Sequence, residues 1–155
     1  MACAYKGDLF SALNLGLLIL MAIGIWDDIK GLSTTIRLIF QFSAISLLIY
    51  HYELFALYGL FWTFVLALIC TYLINVFNFM DGINGILGLY ALSIIALLFY
   101  IGFADFGNAF AFGILLISLL SFLFYNFRTK AKVFSGDVGS LSLSYLLLGG
   151  LLDAL

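Results

Sequence analysis

Long apolar runs separated by short polar segments are the feature that most constrains how this chain folds. Of its 155 residues, 66% are hydrophobic and only 9% are charged, whereas soluble domains carry about 25% charged and 45–50% apolar residues. A water-soluble fold would have to hide nearly all of these side chains. In lipid they can face outward, provided that the backbone groups bond within helices. The sequence therefore predicts an all-α, polytopic transmembrane helical bundle.

The apolar runs predict about six helical spans within a single membrane domain that covers residues 1–155. The predicted spans are 9–26, 36–52, 54–75, 86–103, 109–125 and 140–155. A helix of about 18 residues is about 27 Å long, close to the hydrocarbon thickness of roughly 30 Å. The last run holds 16 residues before the sequence stops. Because that length barely crosses a bilayer, an incomplete sixth span stays open.

Basic residues predict which way the spans face. The segments after the first and fifth spans hold five Lys or Arg, whereas the loops on the opposite side hold none and Lys6 is the exception. Because Lys and Arg favour cytoplasmic loops, segments 27–35, 76–85 and 126–139 are predicted to be cytoplasmic in a multi-pass plasma-membrane protein. The net charge of -2 offers no basic field for nucleic acid.

The first polar cluster is the adjacent pair Asp27 and Asp28 at the cytoplasmic end of the first span. Two neighbouring carboxylates repel each other, and a divalent cation would relieve that repulsion. Mg²⁺ favours one or two carboxylates together with substrate phosphates. A solvated loop pair is the alternative. Arg37 and Gln41 follow four residues apart on one helical face, where Arg37 either binds a lipid phosphate or extends to the headgroups.

The second cluster places Asn75, Asn78, Asp81 and Asn84 three residues apart at the end of the third span. Positions three apart are neighbours on a helix, so these residues predict a polar ridge where the span leaves the membrane. Amides around one carboxylate suit a metal ligand with supporting hydrogen bonds. A polar helix end with a turn is the alternative.

The third cluster is the string Gly-Asp137-Val-Gly-Ser140 before the sixth span. Ser140 is predicted to be the N-cap of that span, and a helix N-terminus beside glycines also suits an anion. Lys132 lies just upstream, where it either attracts nucleotide phosphates or is an ordinary cytoplasmic basic residue. Four of the eight acidic residues fall in these three clusters, which favours a shared site.

These strings resemble the polyprenyl-phosphate N-acetylhexosamine-1-phosphate transferases, which form glycosyl transferase family 4. The matching strings are W-D-D-I-K-G-L-S-T-T-I-R-L-I-F-Q, N-V-F-N-F-M-D-G-I-N-G-I and Y-N-F-R-T-K-A-K-V-F-S-G-D-V-G-S. Their order, spacing and membrane side agree with that family. The second string looks more like the surface-polysaccharide branch than the pentapeptide-using branch.

The resemblance implies Mg²⁺, with Mn²⁺ as a substitute, a UDP-N-acetylhexosamine and undecaprenyl phosphate at a cytoplasmic site of the bacterial inner membrane. It implies that Asp27, Asp28 and Asp81 are catalytic and that Asp81 and Asp137 bind the metal. Together with the residue patterns above, it predicts that the substrate-binding residues are Asn75, Asn78, Asn84, Arg37, Lys132, Asp137 and Ser140. Asn84 departs from the family, many of whose members have a second Asp there.

Family members have about ten spans, so the resemblance also implies a partial or truncated member. A catalytically incomplete membrane scaffold is therefore one alternative, and a transporter subunit is another. Transport would favour ionisable residues at mid-membrane depth, whereas these spans are nearly free of charge. Aromatic and small residues on the spans are compatible with a homodimer and equally with lipid contact.

Overall fold

The residues that the structure describes form six α-helices. The computed structural model describes residues 11–101 and 106–154, with side chains from residue 113 onward in the second range. The helices are α1 (Ala12–Lys30), α2 (Thr34–His51), α3 (Leu54–Met80), α4 (Ile86–Tyr100), α5 (Phe106–Asn126) and α6 (Gly136–Asp153). The all-helical prediction is confirmed for these residues. The predicted boundaries at Leu9, Phe103 and Leu155, and the position of Lys6, lie outside them.

Two described helices are long and apolar enough to cross a membrane. These are α1, with a mean hydropathy of 1.7, and α3, with a mean hydropathy of 2.1. Only 22% and 28% of their apolar windows are buried, whereas the core helix of a soluble protein would be mostly covered. The apolar segments Ile86–Tyr100 and Gly113–Asn126 are shorter. The structure thus supports two membrane-crossing helices and leaves the other four predicted spans as predictions.

The helices continue through residues that the hydropathy pattern placed in loops. Helix α1 runs to Lys30 and so includes Asp27 and Asp28, α3 runs to Met80, and α6 already begins at Gly136. The helical backbone therefore does not stop where the apolar run stops, and the polar side chains at these helix ends have partners on neighbouring helices. The segments that connect the helices are correspondingly shorter than 27–35, 76–85 and 126–139.

Helix α3 is interrupted near its start. Gly59 has φ 72° and ψ 172°, a conformation that only glycine adopts without strain. The continuous helix therefore begins after Gly59, and residues 60–80 extend about 31 Å at a rise of about 1.5 Å per residue. That length still matches a bilayer core.

Helix α6 is the centre of the bundle. It packs against α1, α3 and α4, while α1 also packs against α2, and α4 packs against α5. On α1, Gly16 and Gly24 lie two turns apart on the face toward α6. A Cβ on Gly16 would overlap the hydroxyl of the buried Tyr145, and one on Gly24 would lie 2.8 Å from the Val138 backbone. The two glycines let α1 approach α6 closely, and this approach positions the carboxylates at the end of α1.

Candidate active site at the start of helix α6

The first turn of α6 is capped by an aspartate from another helix. Asp81, the residue after α3, accepts the backbone N–H of Ser135 on Oδ1 at 3.1 Å and that of Gly136 on Oδ2 at 2.9 Å. Its side chain is buried, with 8% of its surface exposed. A helix N-terminus has backbone N–H groups without helical partners and a partial positive charge. Asp81 accepts hydrogen bonds from two of these N–H groups and places a negative charge beside the helix N-terminus. It thereby ties α3 to α6.

A second aspartate caps the next two backbone groups. Asp28 accepts the N–H of Asp137 on Oδ1 at 3.0 Å and the N–H of Val138 on Oδ2 at 3.4 Å. Asp28 lies one helical turn after Gly24. Because Gly24 has no side chain, the backbone of α1 can lie against the backbone of α6 at Val138. Carboxylates from α1 and α3 therefore share the four consecutive N–H groups of residues 135–138.

Ser140 does not serve as the N-cap that the sequence predicts. Helix α6 begins four residues earlier, and its N-cap Ser135 makes no side-chain capping bond. The physical reason is that Asp81 and Asp28 supply the capping oxygens from outside the helix. Ser140 is instead fully buried, and its hydroxyl donates to Oδ1 of Asn78 at 2.8 Å. This bond is a second polar link between α3 and α6.

Arg37 lies between two further carboxylates. Its Nη1 is 2.9 Å from Oδ2 of Asp27 and 3.8 Å from Oδ2 of Asp137. The other Asp27 oxygen accepts the N–H of Leu32 at 2.5 Å. Burial raises the pKa of Asp137 above its usual value, the neighbouring Asp27 raises it further, and Asn78 opposes the shift. Arg37 thus offsets two carboxylates that would otherwise repel each other.

The polar ridge on α3 makes one bond toward α2. Asn75 donates from Nδ2 to Oε1 of Gln41 at 2.7 Å and to the Thr71 carbonyl at 2.9 Å. Gln41 is fully buried, yet its Nε2 has no partner among the described residues, and neither has Nε of Arg37 one turn earlier. Buried donors without partners are rare in native proteins. These two unsatisfied donors lie on one face of α2, because positions 37 and 41 are four residues apart.

Two predicted substrate-binding residues are held elsewhere. Asn84 donates from Nδ2 to the Arg128 carbonyl at 2.8 Å. Lys132 is exposed, and its backbone N–H donates to the Tyr125 carbonyl at 3.0 Å. Neither side chain contacts the four carboxylates within the part of the chain that the structure describes. The structure therefore brings together Asp27, Asp28, Arg37, Asn78, Asp81, Asp137 and Ser140, and it leaves Asn84 and Lys132 at the neighbouring loop.

Asn126 is a structurally important residue that the sequence analysis missed. It is 1% exposed, accepts the Gly85 N–H on Oδ1 at 2.6 Å and donates from Nδ2 to the Val133 carbonyl at 2.7 Å. It thereby connects the turn after α3 to the loop that leads to Ser135. Asn126 could have been noticed in the sequence, because it is an amide at the end of a long apolar run and lies inside the third matching string.

The carboxylates at this site can be compared with the ligands that a magnesium ion requires. No group of three or more His, Cys, Asp or Glu side chains in the described ranges is arranged to hold a metal. Mg²⁺, however, needs only one or two protein carboxylates when substrate phosphates and water complete its shell. Each Asp81 oxygen accepts one N–H, which leaves lone pairs on a carboxylate that can accept about four bonds. The chemistry of Asp81 and Asp137 is thus compatible with the ion.

The geometry defines an all-helical protein with a carboxylate-rich site where three helix ends meet. The family description "Glycosyl transferase family 4" matches residues 10–153 of this chain. The chain belongs to glycosyl transferase family 4, which confirms the resemblance seen in its motifs. The family is membrane-integral, and it implies a polyprenyl-phosphate sugar-1-phosphate transferase in general. Neither the curated proteins nor the solved structures gave a match.

Proposed function

We propose that this protein transfers an N-acetylhexosamine-1-phosphate from a UDP-sugar to undecaprenyl phosphate and releases UMP. A lipid-phosphate oxygen attacks the β-phosphorus of the UDP-sugar, the bond to UMP breaks, and a lipid-diphospho-sugar forms. The reaction takes place at the cytoplasmic face of the bacterial inner membrane. It is the first membrane step of a cell-surface polysaccharide or of the cell wall.

The meeting of three sequence motifs at one helix N-terminus carries this proposal. Asp28 from the first motif and Asp81 from the second bind adjacent backbone groups of the third. These contacts join positions 54 to 110 residues apart in the chain. Phosphoryl transfer needs alignment and charge neutralisation more than covalent help. Arg37 and a cation held by the carboxylates would supply the neutralising charge, and the buried amides would hold the site in alignment.

Magnesium, when bound, would neutralise the pyrophosphate and stabilise the departing UMP. Asp81 and Asp137 are the residues that would hold it. The two N–H bonds of Asp81 fix that carboxylate in one orientation. Arg37 lies beside Asp137 and would add a positive charge for the lipid phosphate. Asn78 and Ser140 keep α3 and α6 in register.

Asp27 is poorly placed to act as a general base. Both of its oxygens are engaged, one by the Leu32 N–H and the other by the Arg37 guanidinium. A phosphate monoester loses its second proton near a pKa of about 6, so the lipid phosphate is already mostly dianionic at neutral pH. We assign Asp27 and Asp28 to orientation of the site and of the lipid phosphate.

The test is UMP release by the purified protein from UDP-N-acetylglucosamine or UDP-N-acetylgalactosamine, with undecaprenyl phosphate and Mg²⁺. We expect release with at least one donor and no release from Asp81→Asn. Glu53→Gln is the matched control, because Glu53 is an exposed acid in the turn between α2 and α3. Absence of release from protein that is folded by circular dichroism, with either donor, would contradict the proposal.

The second candidate is a membrane scaffold without catalytic activity. It is favoured by the engagement of the carboxylates in structural bonds, since Asp28 and Asp81 cap α6 and Asp27 pairs with Arg37. A scaffold predicts that UDP-sugar and Mg²⁺ leave thermal stability unchanged. A transferase predicts that the two together stabilise the protein, since a ligand that binds only the folded state raises its stability.

A further inference from the structure

A groove lies where α4 meets α5. Its volume is about 480 Å³, within the roughly 300–1,000 Å³ of ligand pockets. Its lining consists of Leu89, Leu120, Leu123, Phe124, Phe127 and Arg128. Five of these side chains are apolar and one is a cation, so the groove suits a hydrocarbon chain that carries an anionic group.

Arg128 is the cationic residue of the groove lining, and three contacts position its side chain. Its Nε donates to the Phe124 carbonyl at 3.0 Å, and its guanidinium carbon lies 4.9 Å from the Phe124 ring centroid and 5.8 Å from that of Tyr125. Its own carbonyl accepts a bond from Asn84. No hydrogen bond or ion pair within the described residues uses its two terminal nitrogens. A planar guanidinium with two free nitrogens matches the oxygens of a phosphate.

The groove is separate from the carboxylate site. The carboxylates come from α1, the end of α3 and the start of α6, whereas the groove is built by α4, α5 and the residues just after α5. Its lining contains no acidic residue, so nothing in it repels an anion. Lys130, exposed and two residues further along the chain, adds a second positive charge to this loop.

We propose that this groove binds an anionic phospholipid of the surrounding bilayer, with the phosphate on Arg128 and an acyl chain along α4 and α5. Charge complementarity selects this occupant over a second copy of the chain, because the groove pairs its apolar wall with an unneutralised cation. The exposed wall supports it: Leu120 is 52% exposed and Phe124 is 65% exposed, and the family is membrane-integral. The proposal does not depend on the transferase reaction.

The test measures lipid retained by the purified protein, using native mass spectrometry in micelles with equal amounts of phosphatidylglycerol and phosphatidylcholine of the same chain length. We expect preferential retention of phosphatidylglycerol. Arg128→Gln should reduce that preference about fivefold, the ratio that corresponds to one basic residue near an anionic surface. Lys130→Gln removes the same charge from the same loop without touching the groove and should leave at least half of the preference.

A second pair of variants tests the groove without altering the charge. Leu120→Trp should fill the groove and lower retention of both lipids, whereas Leu60→Trp on α3, where the residue is 73% exposed, should not. Equal retention of the two lipids by the unaltered protein, or equal effects of the two glutamine variants, would overturn the proposal. Displacement of phosphatidylglycerol by undecaprenyl phosphate in an Arg128-dependent manner would also overturn it, since the groove would then belong to the acceptor.

Discussion

Replacing Asp81 by Asn tests the contact on which the site depends. The substitution keeps the size of the side chain and removes its charge. Of the two bonds that Asp81 accepts from Ser135 and Gly136, Asn can accept only one. Its amide group then meets a backbone N–H, so two donors face each other at a position that is 8% exposed.

The expected loss of stability follows from these contacts. A hydrogen bond to a charged group contributes roughly 1.5–3 kcal/mol, and a buried donor left without a partner costs about 1–3 kcal/mol. Removing an anion from a helix N-terminus costs a further 0.3–1 kcal/mol, roughly. Because these contributions overlap, we expect Asp81→Asn to lower the free energy of unfolding by about 3 kcal/mol.

Asp28→Asn is the matched comparison. Asp28 caps the same helix, but it is exposed and its two bonds measure 3.0 and 3.4 Å. Water can replace those bonds, so we expect a loss of only about 1 kcal/mol. Unfolding of both variants in mixed micelles, followed by circular dichroism, measures the difference. Equal losses, or a loss below about 1 kcal/mol for Asp81→Asn, would refute the assignment of Asp81 as the main cap of α6.

Three further predictions concern the packing of α1, the loop before α6 and the reaction itself. Gly24→Ala should lower the free energy of unfolding by about 2 kcal/mol, because the added Cβ would lie 2.8 Å from the Val138 backbone. Gly113→Ala is the control and should be neutral or stabilising, because there is open space around Gly113. Similar effects of the two substitutions on unfolding would contradict the close approach of α1 and α6. Asn126→Asp keeps the oxygen that accepts the Gly85 N–H but places a second oxygen against the Val133 carbonyl. Thermal unfolding should therefore show a free energy of unfolding that is lower by about 2 kcal/mol. An unchanged unfolding midpoint would contradict the role of Asn126 as a link between the two loops. The transfer rate should stay flat between about pH 7 and pH 9, because the lipid phosphate is already ionised there; a rate that rises about tenfold per pH unit would instead indicate a general base.

The helical class and the family could be predicted from the sequence because both depend on local patterns. A helix in lipid forms its backbone hydrogen bonds within itself, so an apolar run predicts a helix without knowledge of its tertiary contacts. The strings around Asp28, Asp81 and Asp137 also resembled one family from sequence alone. The match of glycosyl transferase family 4 over residues 10–153 confirms that resemblance. Composition also separated this chain from soluble domains.

Helix ends were harder to predict, because hydropathy and backbone conformation respond to different causes. The apolar run stops before Asp27, yet α1 continues to Lys30, and its carboxylates have partners on Arg37 and at the start of α6. The N-cap prediction for Ser140 failed for the same reason. No local pattern could show that the caps of α6 come from α1 and α3.

By itself, the sequence determined that this chain is a helical membrane protein with three acidic motifs, since side-chain solvation and residue spacing are properties of short segments. Only the tertiary structure decided which carboxylate binds which backbone group, that Arg37 lies between Asp27 and Asp137, and that Asn126 is buried between two loops. These pairings depend on how closely helices approach one another. That distance is set by small residues such as Gly24 together with the side chains facing them, in positions far apart along the chain.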